Sequence, residues 1–146
     1  MTYNELSAAI IEVAINIHRR LGPGLLESVY HTILAHELTR RGLSVQKEVA
    51  IPLIWDNLRF DIGFRADLIV NDLILIELKS IEEIAPVHKK QVLTYLRITG
   101  KKLGLLINFG EETLKDGVAA SSTAAWTNLR SCECAPPLSL CPCASV

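Results

Sequence analysis

Two acidic residues interrupt neighbouring apolar segments of the chain, and this feature limits its possible folds more than any other. Asp67 lies within the strand-like run 65–70, and Glu77 and Lys79 lie within the strand-like run 73–80. A charge in the interior of so apolar a strand is costly to bury unless it is paired or holds a metal ion. The two runs are therefore predicted to be adjacent strands that bring two carboxylates and a lysine together.

The loop between these strands decides whether the carboxylates can meet. Glu77 and Lys79 are two residues apart and share a face of the strand, while Leu78 points to the other face. A strict two-residue turn at residues 71–72 would put Asp67 and Glu77 on opposite faces, so a common site requires an odd-numbered loop or a bulge. Two carboxylates facing each other repel, which favours a bound cation. A solvent-facing salt-bridge cluster is the alternative interpretation.

Composition indicates one globular domain with a core of its own. The chain has 146 residues, of which 49% are hydrophobic and 21% charged, and this length suffices for a sizeable core. The net charge is −1 and the pI is about 6.4, which argues against a strongly basic coat but leaves room for a local basic face. The apolar runs are strand-sized and interrupted by charges, so no membrane span is expected. The first residues lack the basic start of a signal peptide, which predicts a cytoplasmic location.

Hydrophobic periodicity predicts an α/β fold in which a mixed β-sheet is flanked by helices. The predicted order is α-α-β-β-β-α-β. The apolar period changes from helical to strand-like after Gly42, where the first predicted strand follows the second predicted helix. The predicted helices cover residues 4–20, 25–41 and 86–99, with Asn4 as the first N-cap, and the predicted strands cover residues 45–54, 60–70, 73–80 and 103–109.

Composition changes after Gly117, which predicts a domain of residues 1–117 and a poorly ordered tail of residues 118–146. The tail holds all four cysteines and three of the six prolines, and it shows no sustained period. Its two C-x-C pairs are a weak zinc signal, and free thiols are the favoured interpretation. We expect the tail to be dispensable for the site, although a short helix that includes Trp126 and caps the sheet is an alternative. Residues 114–117 are expected to begin a helical segment.

An ordered set of motifs carries a resemblance to a known family. The chain resembles the PD-(D/E)XK nuclease superfamily and, within it, is most similar to the small GxxExxY proteins, over about residues 5–117. The name-giving motif is Gly24-Leu25-Leu26-Glu27-Ser28-Val29-Tyr30, the superfamily core is Asp67 with Glu77-Leu78-Lys79, and similar flanks follow at residues 86–88, 91–96, 105–110 and 114–117.

The resemblance implies a restriction-endonuclease-like core and a Mg²⁺-dependent nuclease that acts on DNA or RNA, with Mn²⁺ as a second candidate metal. Asp67 and Glu77 would ligate the metal, with the Leu78 carbonyl and Glu27 as further ligands, and Lys79 would orient or activate the attacking water. Such a hard cation takes oxygen ligands, usually one or two carboxylates with waters and substrate phosphate. Relatives usually end in a short basic helix, and this chain departs from them there.

Two further positions follow from the resemblance. Gln91 matches a glutamine that follows the site in many relatives, and with Tyr95 it is similar to the QxxxY signature of RecB-like nucleases. Both could equally be ordinary helix positions. His31 and His88 are expected to be surface histidines. A non-catalytic module that binds nucleic acid or a protein partner remains the alternative function, and the oligomeric state, including a homodimer, is left open.

Overall fold

The computed structural model describes residues 1–124, which form one mixed sheet with helices on both faces. The strands lie in the order β1-β2-β3-β4-β5; β3 and β4 are parallel, and the other neighbours are antiparallel. The strands are β1 (Val45–Trp55), β2 (Leu58–Val70), β3 (Ile74–Lys79), β4 (Leu103–Asn108) and β5 (Val118–Ser122), and the helices are α1 (Tyr3–Leu21), α2 (Glu27–Arg40) and α3 (Pro86–Thr99). The predicted α/β class with a helix-flanked mixed sheet is confirmed.

The two sheet faces are covered by different helices. Helices α1 and α2 pack their apolar sides on one face, where Leu78 and Ile76 of β3 join the larger core. Helix α3 covers the other face, where Leu75 contacts the smaller core. A parallel pair of strands needs a crossover between them, and α3 supplies it between β3 and β4. Because α3 lies on the face of Leu75, it also lies on the face of Glu77, two residues further along.

The N-cap of the first helix lies two residues before the predicted one. Thr2, not Asn4, caps α1: its hydroxyl accepts from the backbone N–H of Glu5, and the Glu5 carboxylate accepts in return from the N–H of Thr2. This reciprocal pair satisfies two of the helix's unpaired donors.

The loop between β2 and β3 contains three residues, which is the odd number that a common site requires. Val70 pairs with Ile74, and the N–H of Leu73 donates to the carbonyl of Val70 at 3.0 Å. Asn71 and Asp72 both adopt positive φ, 51° and 56°, a conformation that these two residue types tolerate better than most. With three residues in the loop, residues that lie opposite each other on β2 and β3 point to the same face of the sheet.

Residues 53–63 form the outer part of the β1–β2 hairpin, called here the arm. Within the described residues, β2 pairs with β3 only from Leu68 onward, so the preceding part of β2 pairs with β1 alone. The arm therefore extends past the body of the sheet as a two-stranded ribbon.

Strand β5 corrects the expectation that order ends at Gly117. Residues 118–122 pair antiparallel with β4, and residues 114–117 form a turn where a helix was expected. Small residues such as Ala119 and Ala120 give no apolar alternation. Their backbone groups nevertheless pair with the backbone groups at the edge of the buried strand β4. Residues 125–146, with the cysteines and Trp126, lie outside the described residues. Among residues 1–124, no helix has the length and apolar character to cross a membrane.

Candidate active site

Asp67 and Glu77 meet at the point where β2 and β3 separate. Leu68 pairs with Ile76, and the same register places Asp67 opposite Glu77. The Asp67 Oδ2 accepts a hydrogen bond from the backbone N–H of Leu78 at 2.8 Å. This bond uses the side chain where a strand would use its backbone, and it fixes the Asp67 carboxylate against β3.

Glu77 is the most deeply buried acid at this point, with only 5% of its surface exposed. Its Oε1 accepts from the Lys79 Nζ at 2.9 Å. Its Oε2 is buried and has no hydrogen-bond partner among the described residues. Burial raises the pKa of Glu77, the negative charges of Asp67 and Glu27 raise it further, and the Lys79 ammonium opposes them.

Lys79 remains charged beside this carboxylate. Burial alone would lower the pKa of Lys79, but the hydrogen bond to Glu77 and the surrounding negative charges outweigh it, so its pKa is raised. About a fifth of the Lys79 side chain is exposed (19%), which leaves the ammonium accessible from solvent.

The donor set suits a hard divalent cation. A buried carboxylate oxygen without a donor is energetically costly unless a positive group pairs with it, and the charge of Asp67 is near enough to raise the pKa of Glu77. Within residues 1–124, no group of three or more His, Cys, Asp or Glu side chains gathers as a ready metal site. Two carboxylates with waters are nevertheless the usual protein contribution to a Mg²⁺ site.

Glu27 approaches the pair from the other helical layer. It is the first residue of α2 and is exposed, yet it is near enough to raise the pKa of Glu77. A cleft of about 480 Å³ opens beside it, bounded by Leu26, Ser80 and Ile81. Glu27 is thus at the mouth of the site and outside the two-carboxylate pair.

The side chain of Tyr30 holds the loop before Glu27. Its hydroxyl donates to the carbonyl of Gly22 at 2.5 Å and accepts from the N–H of Leu25 at 3.2 Å. Its ring stacks on Phe109 with centroids 4.4 Å apart. The tyrosine therefore fixes the start of α2, and with it the position of Glu27.

Gln91 lies on α3, over the same sheet face as Glu77. Its side-chain amide donates to the hydroxyl of Tyr95, and the Tyr95 ring stacks on Phe64 of β2 with centroids 3.8 Å apart. Burial raises the pKa of Tyr95, and the charge of Glu77 adds to that increase. Gln91 is thus held by Tyr95, which is near enough to Glu77 for that charge to affect its pKa.

Comparison with known proteins places this arrangement in a family. The profile of the PD-(D/E)XK nuclease superfamily matches residues 4–120. The chain belongs to the PD-(D/E)XK nuclease superfamily. Members generally hydrolyse phosphodiester bonds and typically use divalent metal ions. No curated protein and no solved structure shows significant similarity to the chain. The matched range includes β4 and the first residues of β5, which agrees with a folded unit that extends past Gly117.

One contact of Asp67 was not expected from the sequence. His31, predicted to be a surface residue, donates from Nε2 to the backbone carbonyl of Asp67 at 3.0 Å. It lies four residues after Glu27, and residues at this spacing share a helix face. That spacing is the one sequence signal that could have linked His31 to the site.

Another cleft in the described residues is separate from this chemistry. It measures about 510 Å³ and is bordered by acids such as Glu82, Glu83 and Asp116 together with Lys89. These side chains are exposed, and solvated carboxylates need no ligand to stabilise them. The buried, incompletely bonded Glu77 is the better indicator of function.

Proposed function

We propose that this chain is a divalent-metal-dependent nuclease that hydrolyses nucleic-acid phosphodiesters at the Asp67, Glu77 and Lys79 site. The observation that carries the proposal is the Glu77 Oε2, which is buried and has no donor in the described part of the chain, in a member of a nuclease superfamily. Mg²⁺ is the first candidate metal and Mn²⁺ the second, because the available donors are oxygens.

Each site residue has a distinct role in this proposal. Asp67 and Glu77 would hold the cation, and the Leu78 carbonyl and Glu27 would complete its shell with waters. A divalent cation at this point would withdraw charge from the scissile phosphate and make water a stronger nucleophile. The Lys79 ammonium, already positioned by Glu77, would orient the attacking water and stabilise charge on the phosphate.

Gln91 and the loop before α2 would set the borders of the substrate site. Gln91 can offer its amide to the substrate while Tyr95 holds it. The contacts of Tyr30 with Gly22 and Leu25 hold the loop that contains Gly24 and leads to Glu27, which supports a closer kinship with the GxxExxY proteins as part of the same proposal.

A non-catalytic module that binds nucleic acid or a protein partner is the second candidate. The formal net charge of −1 favours a protein partner for such a module, because affinity for nucleic acid comes largely from cations that neutralise phosphates. Only the first candidate breaks phosphodiester bonds.

The test is a cleavage assay with the full chain on single- and double-stranded DNA and RNA, with Mg²⁺, Mn²⁺ or EDTA. We expect metal-dependent cleavage that Lys79→Ala reduces about 100-fold or more, the usual scale for a catalytic proton-transfer or charge-stabilising group. Lys101→Ala is the matched control. Lys101 forms a comparable ion pair outside the site, in which its Nζ lies 2.8 Å from the Asp72 Oδ1. Equal activity of the Lys79→Ala and native proteins would refute catalysis here.

Metal binding is tested separately by calorimetry with Mn²⁺. Asp67→Asn and Glu77→Gln should each abolish the binding isotherm if the carboxylates hold the metal. Binding without any cleavage would favour the non-catalytic module, and unchanged binding in both variants would show that the carboxylates are structural.

A further inference from the structure

Glu48 has a backbone conformation that is unusual for the interior of a strand. Its φ is 48°, in the left-handed region, where the Cβ of an L-residue comes too close to the following carbonyl oxygen. The other non-glycine residues with positive φ in the described part of the chain are Asp56, Asn71 and Asp72. These three lie in the hairpin turns on either side of β2 and belong to residue types that tolerate this region. Glutamate does not, and no turn at Glu48 requires the conformation.

Both strands of the β1–β2 ribbon change face at the level of Glu48. Residues an even number of positions apart share a face of a regular strand, yet Val45 packs against the larger core and Val49 against the smaller one. On β2, Leu68 belongs to the larger core and Ala66 to the smaller one. The ribbon therefore turns over between these two levels, and Glu48 supplies the left-handed residue at that point.

Asp67 is the residue of β2 that lies opposite Glu48, and the turn-over interrupts the ladder there. The cross-strand pairs on either side of this level are formed, whereas Glu48 and Asp67 are not paired with each other in the described residues. Side chains supply donors to both backbone carbonyls instead. The Glu48 carbonyl accepts from the Arg65 Nη1 at 3.4 Å, and the Asp67 carbonyl accepts from the His31 Nε2.

This interruption accounts for the direction of the Asp67 side chain. Side chains of a regular strand stand roughly perpendicular to the sheet. The Asp67 Oδ2 instead accepts from the backbone N–H of Leu78 at 2.8 Å, and such a bond runs along the sheet towards the neighbouring strand. An extended residue at position 48 would allow the regular pair with Asp67 to form, and the Asp67 carboxylate would then return to a face of the sheet.

We propose that Glu48 is a positioning residue for Asp67, a role that rests on the metal-binding function proposed above. Its left-handed backbone keeps the Asp67 carboxylate against β3, and its own carboxylate has no part in this. The Glu48 side chain is exposed, and the pKa of Glu77 responds to the charges of Asp67, Lys79 and Glu27 but not to that of Glu48. Strained backbone of this kind persists where the surrounding structure fixes it, and it is frequent at functional sites.

The test is Mn²⁺ calorimetry of full-length variants that separate the backbone of Glu48 from its carboxylate. Glu48→Gly removes the carboxylate but adopts positive φ freely, so we expect native Mn²⁺ affinity. Glu48→Val opposes positive φ, because a β-branched residue is an outlier there. Valine should therefore weaken Mn²⁺ binding about 10- to 100-fold, as the loss of a supporting contact typically does. Ala50→Val is the matched control at an exposed position of the same strand without positive φ, and it should leave the affinity unchanged.

Hydrogen exchange of the Leu78 amide gives a second readout in metal-free protein. The Asp67 carboxylate protects this N–H, so Glu48→Val should accelerate its exchange about tenfold or more relative to the Ile76 amide of the same strand. Glu48→Gly should leave both amides protected. If Glu48→Val does not fold, Glu48→Ala takes its place, with a smaller change in the same direction.

The outcomes separate this role from the proposed metal site itself. A native protein that binds no Mn²⁺ would refute the metal site, while the exchange of the Leu78 amide would still test Glu48. Native affinity and native Leu78 protection in folded Glu48→Val would overturn the positioning role. Loss of Mn²⁺ affinity in Glu48→Gly would also overturn it, because the carboxylate of Glu48 would then be the group that acts.

Discussion

At the scale of single residues, the burial of the Glu77 carboxylate costs the folded protein electrostatic free energy. It is buried beside Asp67, and among residues 1–124 one of its oxygens has no donor and only Lys79 offsets its charge. Active sites often store such unfavourable electrostatics because the missing group arrives with the ligand. The raised pKa of Glu77 makes this cost measurable through the pH dependence of stability.

We expect Glu77→Gln to increase the free energy of unfolding at neutral pH in metal-free protein. Because the folded-state pKa of Glu77 is raised above its ordinary value of 4.5, the folded state binds the proton more tightly, and stability falls as pH rises from about 4.5 through the folded pKa. Glutamine removes that loss and should flatten the curve in this window. Urea titrations in EDTA between pH 4 and pH 8 measure it, with exposed Glu83→Gln as the control. Parallel curves for Glu77→Gln and the native protein would contradict the expectation.

His31 is expected to act as a positioning residue for Asp67. His31→Leu removes the donor to the Asp67 carbonyl, and loss of such supporting contacts typically weakens metal binding about 10- to 100-fold. His31→Gln keeps an N–H donor and should restore most of the Mn²⁺ affinity, which calorimetry would show. His36→Leu is the matched control, since His36 is an exposed histidine of the same helix. Native Mn²⁺ affinity in His31→Leu would remove His31 from the site.

At the scale of elements, the end of β4 holds the loop that follows β3. Asn108 is fully buried, and its Oδ1 accepts from the N–H groups of Ile81 and Gly110 at 3.0 and 3.1 Å. Its Nδ2 donates to the carbonyl of Ile81 at 2.9 Å. One side chain therefore ties the loop between Lys79 and α3 to the neighbouring strand.

Asn108→Leu should lower the free energy of unfolding by about 3 kcal/mol or more, because each buried backbone group left unpaired costs about 1–3 kcal/mol. Chemical denaturation measures this loss. Asn4→Ala, at an exposed position of α1, should change stability little. A loss of less than about 1 kcal/mol in Asn108→Leu would show that water replaces the amide without cost.

At the scale of the whole molecule, β5 extends the sheet beyond Gly117. A chain that ends at Gly117 loses the five residues paired with β4, whereas a chain that ends at Ala124 keeps them. We expect the shorter chain to lose at least about 3 kcal/mol, since each hydrogen bond contributes about 1 kcal/mol and an apolar strand edge becomes exposed. Thermal unfolding of both chains is the measurement. Equal stability would restore the simpler expectation that everything after Gly117 is dispensable.

The sequence was most informative where it shows a regular apolar period or a charge inside an apolar run. The helices, the first four strands and the positions of Asp67 and Glu77 follow from such patterns. The three-residue loop did not, because Asn71 and Asp72 suit either loop length. Strand β5 has small residues and no alternation, so only its pairing with β4 defines it. The bond from His31 to Asp67 links residues 36 positions apart, and no local pattern encodes that distance.

The central place of β3 also sets an order of events during synthesis. The site draws on residues 27–91, but β3 is completed by β4, which ends at Asn108. Domains form from the N-terminus as the chain leaves the ribosome. A growing chain can pair β2 with β3 before β4 exists, because the two are antiparallel neighbours joined by a short loop. Strand β3 gains its second neighbour only when residue 108 has been synthesised, so the strand that carries Glu77 and Lys79 is held on both sides late in synthesis.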